Sequence, residues 1–103
     1  MLAMLNGRDV HVDDEGFLTE YDEWDTDLAK VLAANIGVDL TDAHWKVLRF
    51  LRDDYKAMGQ TATLRRVSTV AGVPTKELFT LFPKKPAKKM AYIAGLPKPV
   101  GCV

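Results

Sequence analysis

The stretch TDAHWKVLRFLRDDYKAMG, Thr41 to Gly59, decides the fold. Its apolar residues Trp45, Leu48, Leu51, Tyr55 and Met58 recur at steps of three and four, the spacing that stacks side chains on one helix face. Lys46, Arg49, Asp53 and Lys56 fall largely on the other side. Thr41 supplies an N-cap and Gly59 a stop, so a central helix is predicted with the apolar stripe in the core.

Upstream, Asn6-Gly7 separates two short apolar-rich runs, and Asn-Gly supplies the positive φ angles of a two-residue hairpin turn. A β-hairpin is predicted over about residues 2–5 and 8–12, then a turn at 13–16. An irregular connector follows, whose Phe17, Tyr21 and Trp24 cover a face of the helices. A helix capped by Asp25 or Thr26 carries Leu28, Val31, Leu32 and Ile36 at helical spacing and ends at Gly37.

Downstream, Thr63 to Phe82 reads as helix, tight turn at Gly72, helix, with Val67, Ala71, Val73, Leu78 and Leu81 inward and Pro74 at the start of the second helix. A last short helix begins near Pro86 and runs to Gly95. The expected fold class is mainly α: a small orthogonal helical bundle with a helix-turn-helix-like segment, an N-terminal β-hairpin and a flexible C-terminal arm. Residues 1–95 form one domain and residues 96–103 the arm.

The 103 residues suit one modest core. No apolar run approaches the roughly 20 residues of a bilayer span, and the start lacks the basic and small-residue pattern of a signal peptide. With one cysteine and therefore no internal disulfide, a cytoplasmic protein away from membranes is expected. The formal net charge is zero, yet the signs are segregated. Residues 1–60 hold thirteen acids and six bases, whereas residues 61–103 hold only Glu77 against eight bases.

The helix-turn-helix pattern would place Thr75, Lys76 and Phe79 in a DNA major groove. Zero net charge and a second helix with one Lys beside one Glu argue against it, so the shape is expected without direct nucleic-acid binding. His11 and His44 have no metal-ligand spacing, and His44 reads as a packing or hydrogen-bonding residue. Asp13, Asp14 and Glu15 sit in a turn, and the adjacent Asp53 and Asp54 read as part of a solvated face. No cofactor or metal is expected. Lys84, Lys85, Lys88 and Lys89 have two readings, a solubilising face or a partner-binding patch. The helix dipole does not explain bases at a helix start.

The tail GLPKPVGCV places the lone Cys102 behind Pro97 and Pro99. The prolines stiffen an extended segment that would span on the order of 20 Å from Leu96 to Cys102 at ~3.1 Å per residue. Gly95 and Gly101 are the expected hinges, with Cys102 as a reactive tip and Lys98 favouring its thiolate.

The run KKPAKKMAYIAGLPKPVGCV resembles the C-terminal signature of the DsrC/TusE family of sulfur-relay proteins. The likeness extends upstream through DEGFL, HWKVLRFLRDDY and LFPKKPAK. The resemblance implies a carrier that holds sulfur as a persulfide on Cys102, with sulfur-donor and sulfur-acceptor proteins as partners and Lys84, Lys85, Lys88 and Lys89 helping to dock them. A monomer is expected, with oxidation able to pair two chains through Cys102. Members serving dissimilatory sulfite reductase have a second cysteine where this chain has Ala91, so the single-cysteine pattern resembles the TusE-like branch that relays sulfur toward 2-thiouridine in tRNA. Two alternatives stand beside it: a regulatory DNA- or protein-binding helix-turn-helix protein, and an accessory, gamma-type partner of sulfite reductase subunits.

Overall fold

A computed structural model describes residues 1–100 of the chain. Strands β1 (Leu2–Leu5) and β2 (Arg8–His11) form an antiparallel hairpin in the register Leu2 with His11, Ala3 with Val10, Met4 with Asp9 and Leu5 with Arg8. Asn6 and Gly7 turn it, with φ of 53° and 74°, as a two-residue primed turn requires. The second strand stops at His11, and Val12 instead makes an isolated bridge to Leu18. The connector contains a single 3-10 turn, Tyr21–Glu23.

Five helices follow: α1 (Thr26–Asn35), α2 (Asp42–Met58), α3 (Leu64–Val70), α4 (Thr75–Leu81) and α5 (Pro86–Ile93). The mainly α architecture with an N-terminal hairpin is therefore observed, and α3 and α4 occupy the helix-turn-helix segment. Asp25 caps α1 by accepting from the Leu28 amide at 2.8 Å. Thr63 caps α3 by accepting from the Arg66 amide at 3.1 Å.

At the start of α2 the capping box is closed by His44, whose Nδ1 accepts from the Thr41 amide at 3.1 Å. An accepting Nδ1 puts the proton of the neutral ring on Nε2, which donates to the Leu81 carbonyl at 2.7 Å. The ring also meets Phe82 edge-on, with centroids 5.0 Å apart. His44 thus ties the beginning of α2 to the end of α4, the packing and hydrogen-bonding role expected of it.

The main core gathers Leu48 and Leu51 from α2, Val67 from α3, Leu78 and Phe82 around α4, and Met90 and Ile93 from α5. A second cluster, Val10, Val12, Leu18, Leu28 and Leu32, seats the hairpin on α1. Three positions on α2 depart from the predicted faces. Met58 is 52% exposed, because the helix ends there beyond the packed region. Val47 is buried although it lies outside the predicted stripe.

Asp54, predicted to be solvated, is buried. Arg66 arrives from α3 and spans its carboxylate, with Nε 3.1 and 3.0 Å from the two oxygens and Nη2 2.7 Å from one. Bidentate pairing satisfies both oxygens and makes the burial tolerable. It also raises the Arg66 pKa, Asp54 hydrogen bonding being the largest cause.

Candidate functional site

The base of the tail is held by aromatic and cationic groups rather than left as a free joint. Gly95 ends α5 with φ of 70°, a left-handed conformation that glycine adopts without strain. A Cβ there would lie 2.3 Å from Trp24 Cδ1 and 3.0 Å from Leu18 Cδ1, so the backbone is clamped as well as turned. Trp24 Nε1 donates to the Ile93 carbonyl at 2.8 Å. Arg52 donates from Nη1 to the Ala94 carbonyl at 3.0 Å and from Nη2 to the Tyr21 carbonyl at 2.8 Å. Its guanidinium carbon lies 3.8 Å from the Tyr21 ring centroid and 4.2 Å from that of Trp24.

No carboxylate pairs directly with Arg52 among the described residues, and desolvation pulls its pKa below the ordinary arginine value. Carbonyl oxygens and ring faces supply the compensation.

The expected arm begins inside the globule. Leu96 is 0% exposed and belongs to the main core, and its amide donates to the Ala91 carbonyl at 3.1 Å. Thr61 Oγ1 donates to the Pro97 carbonyl at 2.7 Å, and Pro99 is buried. Lys98 Nζ lies 3.3 Å from Glu15 Oε1. Only at Val100, 83% exposed, does the described chain stand clear. Gly95 is therefore a turn packed against Trp24 and Leu18 rather than an open joint, with Pro97 exposed and Pro99 buried. The apolar bodies of Leu96 and Pro99 gain more by burial than the stiff segment gains by extending into water. Gly101 and Cys102 lie outside the described residues.

The lysines divide. Lys84 and Lys85 are exposed, at φ of 61° and 47°, conformations uncommon for side chains with a Cβ. Lys88 Nζ is 3.7 Å from Glu15 Oε1, and Lys89 Nζ donates to the Pro83 carbonyl. Lys85, Lys88 and Lys89 line a groove of about 370 Å³ together with Phe17, Ile36, Tyr92 and Glu15. The cluster thus forms a basic rim on an apolar groove, and Glu15 connects that rim to Lys98 of the tail.

His11 is remote from any metal set. Its Nδ1 lies 2.8 Å from Glu23 Oε2 and its amide donates to Oε1 at 2.7 Å, which together hold the Glu23 pKa below the ordinary carboxylate value. No group of three potential metal ligands occurs among the described residues. Among them, no helix is long and apolar enough to cross a membrane. The outer face of α4 presents Thr75, Lys76, Glu77 and Phe79, a mixed surface without a basic stripe.

Arg52 was not singled out by sequence reasoning, and Glu15 was read only as a turn carboxylate. Arg52 carries no local signal, since its partners are carbonyls 31 and 42 residues away.

A family model described as DsrC like protein matches residues 4–103. Sulfurtransferase TusE of Escherichia coli (strain K12) is 39% identical over 109 aligned residues, covering 99% of this chain and 100% of that protein. The same holds for Sulfurtransferase TusE of Shigella dysenteriae. Among solved structures, the oxidized gamma-subunit of the dissimilatory sulfite reductase (DsrC) from Archaeoglobus fulgidus superposes with a TM-score of 0.80 at 34% identity. DsrC of Allochromatium vinosum gives 0.81 at 34% identity, and both cover 100% of each chain.

Proposed function

The chain belongs to the DsrC-like family, and on that premise we propose that it is a sulfur-relay carrier whose Cys102 accepts sulfane sulfur as a persulfide and passes it to a partner. The observation carrying this reading is the match through residue 103, at 39% identity to proteins named sulfurtransferase, with the lone thiol inside the matched tail. The Cys102 thiolate attacks the outer sulfur of a donor persulfide. The donor S–S bond breaks, the new one forms, and the donor leaves as its own thiolate. Unloading repeats the step with an acceptor thiolate as nucleophile, so no net oxidation occurs and one cysteine suffices.

The packing of residues 96–99 refines the delivery step. A partner must either approach the globule closely enough to meet a tip that starts at Val100, or detach Pro97 to Pro99 from Thr61 and Glu15 to lengthen it. Lys84, Lys85, Lys88, Lys89 and Lys98 are the proposed docking cations, and Gly101 is the proposed swivel for the thiol. The partner's pocket completes thiolate activation by bringing basic groups to Cys102. The proposed setting is the cytoplasm and the proposed end product is 2-thiouridine in tRNA.

A second reading, a gamma-type partner of dissimilatory sulfite reductase, is favoured by the Archaeoglobus fulgidus neighbour. It is opposed by Ala91, a fully buried methyl group where a second thiol would be needed.

Incubation with a persulfide donor followed by mass spectrometry tests the proposal. The expected result is one added sulfur atom on the C-terminal peptide, removed by reductant and absent in Cys102→Ser, which keeps the wild-type circular dichroism. Failure to load from any donor sulfurtransferase would overturn it.

A further inference from the structure

The lysines that line the groove are arranged in a way that folding alone disfavours. Lys85 precedes α5, and Lys88 and Lys89 follow it at three and four positions, the spacing that sets side chains on one side of a helical turn. Like charges at that spacing repel, and cations at a helix N-terminus oppose the backbone dipole. Lys84 and Lys85 also hold φ of 61° and 47°, the left-handed region that a side chain with a Cβ enters only under strain.

Charge in the groove is unbalanced. Glu15 is the only acid among the described residues lining it, and Lys98, which does not line it, reaches that carboxylate at 3.3 Å while Lys88 stands at 3.7 Å. The Pro83 carbonyl accepts a hydrogen bond from Lys89 but does not neutralise it. Beside these ammonium groups lie Ile36 and Tyr92, both half-buried.

We propose that this groove docks an acidic segment of a relay partner, one in which an apolar side chain stands between carboxylates. The carboxylates meet Lys85, Lys88 and Lys89, and the apolar side chain covers Ile36 and Tyr92. Complementary charge calls for an anion, and the apolar lining favours a peptide over a nucleic acid. Phe17 is only 2% exposed and meets Tyr92 edge-on, with centroids 5.7 Å apart and planes at 86°, so the pair offers no parallel ring faces between which a base could stack. The groove also lies close to the root of the tail. Cys102 follows Lys98, the partner of Glu15, by four residues, a span of at most about 14 Å. A protein seated there is within reach of the thiol. That this protein belongs to a relay rests on the sulfur-carrier reading; the preference of the groove for an acidic segment with an apolar centre does not.

Amide NMR titration of Cys102→Ser with the blocked peptide acetyl-Glu-Asp-Leu-Asp-Glu-amide tests the groove without involving the thiol. The expected result is saturable shifts centred on Ile36, Lys85, Lys88, Lys89 and Tyr92, with affinity falling roughly tenfold between about 20 mM and about 300 mM salt. Serine in place of the peptide's leucine should weaken binding roughly tenfold. Lys85→Gln with Lys88→Gln should weaken it by a similar factor, whereas Lys46→Gln with Lys76→Gln, the same change of net charge on exposed lysines that do not line the groove, should not. No saturable shift up to about 10 mM peptide, equal effects of the two lysine pairs, or tighter binding of pentauridylate than of the peptide at the same residues overturns the proposal. Absence of peptide binding in a chain that loads sulfur sinks the docking site alone. Peptide binding to a chain that no donor loads sinks the carrier reading and leaves the groove as a protein-docking site.

Discussion

Arg52 fixes the base of the tail by a division of labour that no other side chain reproduces. One guanidinium nitrogen serves the connector at Tyr21 and another serves the turn after α5 at Ala94, while the flat group fills the space between two aromatic rings. Arg52→Met retains much of the volume but leaves the Ala94 carbonyl unpaired and the Tyr21 carbonyl with only the long bond from the Trp24 amide at 3.5 Å, and should lower unfolding stability by about 2–4 kcal/mol in urea titrations. Arg52→Lys should recover little, because a single ammonium lacks the planar fork that reaches both oxygens. Gly95→Ala joins a disfavoured φ to a collision with Trp24 and should cost about 2–4 kcal/mol by the same measurement. Gly95 was legible in the sequence as a helix stop. Its second role was not, because nothing local announces that Trp24, 71 positions earlier, will lie against it.

Secondary-structure elements were the most legible part of the molecule, since a cap, a period and a glycine stop are all local. Asn6-Gly7, Asp25 and Pro86 mark boundaries that the structure keeps within a residue or two. Polar burial was illegible for the opposite reason: whether Asp54 meets water depends on where α3 delivers Arg66.

The N-terminal unit also has a predictable response to acid. Glu23 is held below its ordinary value of 4.5, chiefly by hydrogen bonds from His11, and Asp25 below 3.8, chiefly by the Leu28 amide it caps. A depressed carboxylate pKa contributes stability that is complete above the unfolded value and disappears as pH falls through the folded one. The junction between hairpin, connector and α1 should therefore loosen as pH drops below 4.5, ahead of the α2–α5 core, in pH-dependent amide exchange. Asp25→Ala should cost about 1 kcal/mol through the lost cap, and Asp25→Asn less, since an amide oxygen can still accept.

Across the whole molecule, the charge segregation written along the chain is partly undone by folding. Glu15, from the acidic half, lies between Lys88 and Lys98, and Asp54 takes Arg66. Lys84 and Lys85 remain adjacent, exposed bases, and Lys85 lines the groove walled by Phe17 and Tyr92. If that surface docks relay partners, Lys84→Glu with Lys85→Glu should slow sulfur transfer roughly tenfold at low salt and much less at high salt, with stability unchanged. Stopped-flow transfer assays at two ionic strengths would measure it. The tail's cysteine and the lysine cluster were readable in one dimension because composition marks them. The docking of Leu96 and Pro99 was not, because two prolines that prevent a helix say nothing about which surface the extended segment follows.

The burial of Leu96 has a further consequence for synthesis. It lies six positions before Cys102, yet the hydrophobic interior is incomplete without it. A product ending at Gly95 lacks a side chain whose loss leaves a hole of leucine size, and should show a markedly lower melting temperature or no cooperative transition by circular dichroism. Truncated translation products would then be marked for degradation by their own instability, and few well-folded molecules lacking the cysteine would survive to occupy a partner unproductively.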